Sequence, residues 1–223
     1  MSPTEVAGHI QHTDVRPEAT RADIERLLAE CVAHGFQGAM VNPIWVRLAA
    51  RALEGTPVRV CTAFDFPMAG ATTSSVARAA ADARAEGAQE VDVMTKLGWL
   101  RSGMHAEYRH HLRSVVEAAG GAPVKAMLEA ALLTPEELGN AVELCAEAGV
   151  TFLKNSSGYG GGQATPALIT ELVRLSRGHL RVKASGGIRT MGQAVALLEA
   201  GAELLGSSAG VAIVSGGEGT SSY

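Results

Sequence analysis

Four times in this chain a helix-like stretch ends in glycine and runs at once into a short apolar segment: "AHGFQGAMVN", "AEGAQEVDVM", "EAGVTFLKN" and "EAGAELLGS". Gly35, Gly87, Gly149 and Gly201 hold the stop position, where glycine takes the left-handed conformation that ends a helix at no steric cost. Helices that must hand over to strands within a few residues restrict the chain to alternating α and β elements. The helix starts agree. Thr20 with Asp23, Thr134 with Pro135 and Glu137, Thr165 with Pro166, and Thr190 with Gln193 each place a cap ahead of a favourable first turn. In the first of these helices Ile24, Leu27, Leu28, Cys31 and Val32 recur at helical spacing, leaving Glu25, Arg26 and Glu30 for solvent.

Segments rich in branched residues lie between the helices, near 8–13, 37–42, 58–64, 89–95, 123–129, 150–154, 180–184 and 203–207. Strands alternating with helices imply right-handed crossovers and a parallel sheet. Eight such units in 223 residues leave no sequence to spare, which favours closure into a single (β/α)8 TIM barrel over an open doubly wound sheet. Only 4% of the residues are aromatic, while Ala and Gly abound, as close helix-on-sheet packing requires. The expected organisation is one α/β domain over 1–214 and a flexible tail over 215–223. The glycine-rich "GYGGGQAT" is a second stretch expected to be loose. A net charge of -4 gives no footprint for nucleic acid, and no apolar run approaches the roughly 20 residues that span a bilayer. Cys31, Cys61 and Cys145 show no paired spacing and the start does not read as a signal peptide, so a reduced, cytoplasmic protein is expected.

In a closed barrel the carboxyl ends of the strands share one mouth, so polar residues there are read first. Lys154 ends the sixth segment in "TFLKNSSG" and Lys183 lies in the seventh in "RVKASGG", so adjacent strands aim two ammonium groups at that mouth. A neighbouring cation and partial desolvation lower a lysine pKa, and the neutral amine is the form that attacks a carbonyl to give a Schiff base. Spacing does not rank the two lysines. Asp92, in "EVDVMTKLG", sits in an apolar segment where a carboxylate needs a partner. One reading is an ion pair with Lys125 or Lys183; the other is a proton relay through water to a bound carbonyl. Strand alternation puts Met94 and Lys96 on the face of Asp92, with Met94 and Met127 expected as packing residues. "SGGIRT" after the seventh segment and "GSSAG" at the eighth point to phosphate held by backbone N–H groups, with Gly186, Gly187, Ser207 and Ser208 as ligands and Gly158 on the opposite rim. His105, His110 and His111, beside Arg109 and Arg113, are expected on a solvated helix without a zinc site.

Taken in order, "HT", "VNP", "FDFP" with "TT", "EVDV", "VKAMLE", "LLT", "FLKNSSG", "VKASGGIRT" and "GSSAGVAIV" resemble the deoxyribose-phosphate aldolase family over nearly the whole chain. The resemblance implies reversible cleavage of 2-deoxy-D-ribose 5-phosphate to acetaldehyde and D-glyceraldehyde 3-phosphate, without metal or organic cofactor. It assigns Lys154 to the Schiff base, Lys183 to proton transfer and pKa lowering, Asp92 to the relay, and the terminal Tyr223 to protonation of the enamine carbon. It further implies a homodimer whose only other partners are the small phosphorylated sugar and aldehyde. Gln11, Met40 and Lys96 stand where the family commonly has an acid, a cysteine and an asparagine, and Tyr159 where some members carry lysine. These departures are expected at the rim more than in the catalytic core. Two rivals remain: a related class I barrel aldolase with another phosphorylated substrate, and a non-catalytic phosphometabolite-binding barrel in which Lys154 and Lys183 only form ion pairs.

Overall fold

The computed structural model describes residues 1–219. Gly35, Gly87, Gly149 and Gly201 all stop their helices with positive φ, at 66, 111, 82 and 104°. Thr20, Thr134 and Thr190 close capping boxes with Asp23, Glu137 and Gln193, and the Thr165 side chain accepts from the Leu168 amide. A cap of this kind contributes about 1 kcal/mol, and here it also fixes where each helix leaves the preceding strand.

The eight strands are β1 (Ile10–Asp14), β2 (Gly38–Val41), β3 (Arg59–Phe64), β4 (Glu90–Met94), β5 (Val124–Met127), β6 (Phe152–Lys154), β7 (Arg181–Ser185) and β8 (Leu204–Ser207). Each pairs in parallel with its sequence neighbours, and β8 closes on β1 through Ile10↔Leu205, Gln11↔Gly206 and His12↔Ser207. The sheet is therefore a closed (β/α)8 barrel, and the open-sheet alternative is excluded. Helices alternate with the strands. The helix Arg21–His34 buries Ile24, Leu27, Leu28 and Cys31 in the main apolar core, whereas Val32 is 48% exposed, so its apolar stripe is narrower than the spacing suggested. A second, smaller apolar cluster of Val15, Met40, Cys61, Ala63, Met94 and Met127 includes inward-facing strand residues around the charged ones described below.

One expectation needs revision, and both stretches expected to be loose carry backbone hydrogen bonds. His111 is fully buried rather than solvated, because Tyr108, His111, Leu112 and Val115 form the inward stripe of the helix His105–Ala118. Its Nδ1 lies 3.3 Å from the Thr73 hydroxyl. Within 215–219, the described part of the expected tail, the Gly217 amide donates to Ala212 and the buried Gly219 amide donates to Arg189. Tyr223, with the rest of 220–223, lies outside the described residues. In the "GYGGGQAT" stretch the chain is also anchored, since the Ala164 amide donates to the Gly186 carbonyl at 3.0 Å. Among the described residues no helix is long and apolar enough to cross a membrane. Cys31, Cys61 and Cys145 are free and buried.

Candidate active site

Strand alternation turns Glu90, Asp92 and Met94 of β4 to one side, and the register sets Asp92 beside Lys125 of β5 and Lys154 of β6 beside Lys183 of β7. The result is a fully buried carboxylate among three ammonium groups. Asp92 Oδ2 accepts from Lys183 Nζ at 2.8 Å and from Lys154 Nζ at 3.2 Å, while Lys125 Nζ lies 3.2 Å from Oδ1 and 2.7 Å from Glu90 Oε2. Both lysines of the ion-pair reading, Lys125 and Lys183, lie against Asp92, and Lys154 joins them there. A second layer holds this cluster in place. Gln11 accepts from Lys183 through its carbonyl and donates through its amide to Glu90 and Gln37, each at 2.8 Å. Gln11 was expected at the rim; its burial and its bond to Lys183 put it in the core network instead. Asn155 locks the ends of β6 and β7 together, donating to the Ser185 carbonyl at 2.9 Å and accepting from the Ser185 amide at 2.7 Å.

Three cations face two carboxylates in a buried volume. Burial alone would raise Asp92, but the charges of Lys183, Lys125 and Lys154 overcome it and hold the carboxyl well below the usual range. Burial also opposes charge on Lys125, yet Asp92 and Glu90 keep its pKa above the ordinary lysine value. Lys183 goes the other way. Burial pushes it down to about 8, and the like charges of Lys154 and Lys125 add to burial against the pull of Asp92. An excess of one positive charge in such a cluster favours loss of one lysine proton, which is the condition for a nucleophilic amine.

Accessibility separates the two lysines that spacing left unranked. Lys154 lines a narrow cavity at the mouth with Thr13, Met40, Phe66, Ser157 and Gly206, whereas Lys183 does not reach it; their side chains are 8% and 1% exposed. Met127 packs as expected, but its sulfur also lies 3.4 Å from Lys154 Nζ. The same cavity shares Gly186 and Gly206 with an adjoining cup. That cup gathers Gly158, Gly186, Gly187, Ser207 and Ser208, the five residues singled out from sequence, and adds Gly162, Gln163 and Arg189, which were not. Glycine is required where it stands: a Cβ on Gly186, whose φ is 99°, would sit 2.4 Å from the Gly162 carbonyl oxygen. The Ser207 hydroxyl is engaged within the fold, donating to Ile188 and accepting from the Ala209 amide.

Relatives with known names give this arrangement its class. A deoxyribose-phosphate aldolase from Thermosynechococcus vestitus is 46% identical over 205 residues, covering 92% of this chain and 93% of that one. One from Staphylococcus saprophyticus is 41% identical over 217 residues, covering 97% and 99%. Among solved structures, the aldolase QR15 matches with a TM-score of 0.91 at 31% identity over 95% of each chain. The deoxyribose phosphate aldolase from Aeropyrum pernix, described as tetrameric, matches at 0.90 and 30% identity over 96% of this chain and 91% of that one. No family model matches the chain. The protein is a class I barrel aldolase, a carbon–carbon lyase, and the non-catalytic rival falls away. Within that class it belongs to the deoxyribose-phosphate aldolase family, as the ordered motifs implied.

Proposed function

We propose that the protein interconverts 2-deoxy-D-ribose 5-phosphate with acetaldehyde and D-glyceraldehyde 3-phosphate through a Schiff base on Lys154. The observation that carries this reading is the sharing of Asp92 by Lys154 and Lys183 at the base of a cavity that continues into a glycine-lined cup. The neutral Lys154 amine adds to the aldehyde carbon of the open-chain sugar, and loss of water from the carbinolamine leaves an iminium. A base takes the proton of the hydroxyl at the third carbon. The bond between the second and third carbons then breaks, its electron pair forms the enamine, and the glyceraldehyde phosphate departs. Protonation of the enamine carbon and hydrolysis release acetaldehyde and return Lys154.

Asp92 and Lys183, bonded to each other, move these protons through water at the carbinolamine and hydroxyl steps. We assign Tyr223 to protonation of the enamine carbon. Gly158, Gly186, Gly187, Ser207 and Ser208 hold the phosphate, with backbone N–H groups supplying donors. The proposed assembly is a homodimer, which sedimentation distinguishes from the tetramer described for the Aeropyrum pernix relative.

Borohydride reduction in the presence of acetaldehyde tests the chemistry, and the expected product is an ethyl adduct on Lys154 located by peptide mass. Lys154→Arg keeps the charge but offers no neutral amine and is expected to lose both the adduct and turnover. An adduct on a different lysine overturns the assignment. Cleavage of 2-deoxyribose 5-phosphate measured beside unphosphorylated deoxyribose tests the substrate, and equal rates would count against the phosphate cup.

A further inference from the structure

The loop that follows β3 holds two non-glycine residues in the left-handed region, Asp65 at φ 58° and Ala69 at φ 55°. Such a residue is strained and persists only where its surroundings over-determine it. The surroundings here converge on one side chain from beyond β4. Lys96 Nζ donates to the Asp65 carboxylate, to the Ala69 carbonyl at 2.9 Å and to the Ala71 carbonyl at 2.7 Å. Those three bonds use every donor an ammonium group has. The loop completes the ring from its own side: the Ala71 amide donates to Asp65 Oδ1 at 2.9 Å and the Ala69 amide to the Asp65 carbonyl at 2.8 Å. Lys96 and Asp65 have side chains only 7% and 4% exposed, so the pair is desolvated and each charge depends on the other.

Phe66 follows directly on the clamped Asp65. Its ring lines the Lys154 cavity and meets Tyr159 of the opposite rim edge-on, with centroids 5.3 Å apart and planes at 89°. Tyr159 in turn borders a second, largely apolar cavity with Met68, Leu97, Trp99 and Leu132, which Lys96 and Glu129 also line and which meets the Lys154 cavity at Ser157. Where Phe66 stands therefore decides whether a molecule at Lys154 is confined to the route toward the glycine cup or also reaches the apolar side cavity.

We propose that Lys96 is a positioning residue for acceptor selectivity, holding the 65–71 loop so that Phe66 and Tyr159 shut the apolar side cavity off from Lys154. The inference rests on the reading of Lys154 as the nucleophile. Without the clamp, Asp65 and Ala69 relax toward ordinary backbone angles, Phe66 withdraws, and acceptors with a broad apolar chain gain room.

The experiment compares the wild type, Lys96→Met, Lys96→Arg and the double variant Lys96→Met with Asp65→Asn, which removes both charges together. Each is assayed in the bond-forming direction with acetaldehyde as donor and either D-glyceraldehyde 3-phosphate or 3-phenylpropanal as acceptor. The ratio of kcat/KM for the apolar acceptor to that for the phosphorylated one does not depend on how much protein is folded. It is expected to rise at least tenfold in Lys96→Met and in the double variant and to stay near the wild-type value in Lys96→Arg. Borohydride trapping by acetaldehyde, which is too small to feel the gate, is expected to stay within about twofold throughout. An unchanged ratio in the double variant overturns the proposal, as does a rise in Lys96→Arg equal to that in Lys96→Met. Absence of trapping in the wild type would instead remove the Lys154 reading on which the inference stands.

Discussion

The two rims of the barrel mouth are built by different means. On the β6–β8 rim the wall is backbone: Gly162 and Gly186 approach so closely that a Cβ on Gly186 would fall 2.4 Å from the Gly162 oxygen, and one on Gly206 would fall 2.3 Å from Ser185 Oγ. On the β3–β5 rim the wall is side chains, with the Lys96–Asp65 pair, Phe66 and Glu129. Glu129 joins the two: it holds φ 47°, accepts from the Ser157 amide, and would meet a Cβ on Gly160 at 2.3 Å. A backbone rim offers N–H groups, here with Arg189 beside them, and at Gly186 and Gly206 it tolerates no added atom. A side-chain rim shapes the mouth, and its shape depends on ion pairs that a single substitution can remove.

Lys183 belongs to the floor common to both rims, and among variants that keep the Lys154 amine its loss is expected to have the largest effect. Lys183→Leu removes the strongest partner of Asp92 and should lower turnover by about a thousandfold, within the range ascribed to proton-transfer groups. It should also raise the pH required for borohydride trapping, because one of three ammonium charges has gone. An unaltered pH profile would take Lys183 out of the mechanism. Gly186→Ala breaks the backbone rim alone. With φ at 99° and no space for a Cβ, it should cost about a hundredfold in kcat/KM for the phosphorylated sugar while acetaldehyde trapping persists. Equal losses in both assays would mean that the substitution acts on the whole barrel. Ser208→Asp sharpens the same side with a smaller effect, roughly tenfold, by setting a carboxylate in the cup against an anion. Unphosphorylated deoxyribose is expected to be affected far less, and parallel losses would move the phosphate site elsewhere.

The contrast between the rims also accounts for what could be read from the chain alone. Glycine carries its own conformational reason, so "SGGIRT" and "GSSAG" announced the backbone rim, and the four helix-stopping glycines announced the eight-fold order. The side-chain rim left no comparable mark. Lys96 meets Asp65 across 31 residues, Lys154 meets Asp92 across 62 and Lys183 meets Gln11 across 172. Only the closed barrel brings such partners together. Gln11 read as a departure at the rim because nothing near it in sequence shows that β1 closes beside β8 and points its amide at Glu90. The burial of His111 was legible, by contrast: Tyr108, Leu112 and Val115 share its helical face, but the neighbouring Arg109, His110 and Arg113 obscured the stripe. Spacing does not order Lys154 and Lys183, which occupy matched positions on adjacent strands; only the family resemblance assigned their roles from sequence, and the cavity adds that Lys154 lines it.

His111 gives the last and smallest effect, one that leaves activity at neutral pH untouched and tests whether acid attacks the side-chain rim first. The imidazole is fully buried, stacks edge-on with Trp99 at 6.2 Å and lies near the clamp, so burial first and the charge of Lys96 second hold its pKa down to about 4 from the ordinary 6.5. The sign follows from which state binds the proton. As pH falls through 6.5 the unfolded chain takes up a proton at this residue while the folded chain refuses it until about 4, so folded stability is lost across that window. At 1.36 kcal/mol per pKa unit the linked loss is on the order of 3 kcal/mol at most. No histidine lines the β6–β8 cup itself; the buried His12 lies behind it, 3.3 Å from the Ser207 carbonyl. Urea unfolding at steps from pH 7 to pH 4.5 is expected to show a falling midpoint in the wild type. His111→Asn starts from a lower stability, because it leaves space against Trp99, but its midpoint should fall less steeply over the same interval. Identical slopes in the two proteins would place the acid-sensitive group elsewhere. A shallower slope in Lys96→Met would tie the histidine to the clamp, because removing the ammonium lets the imidazole accept its proton nearer the unfolded value.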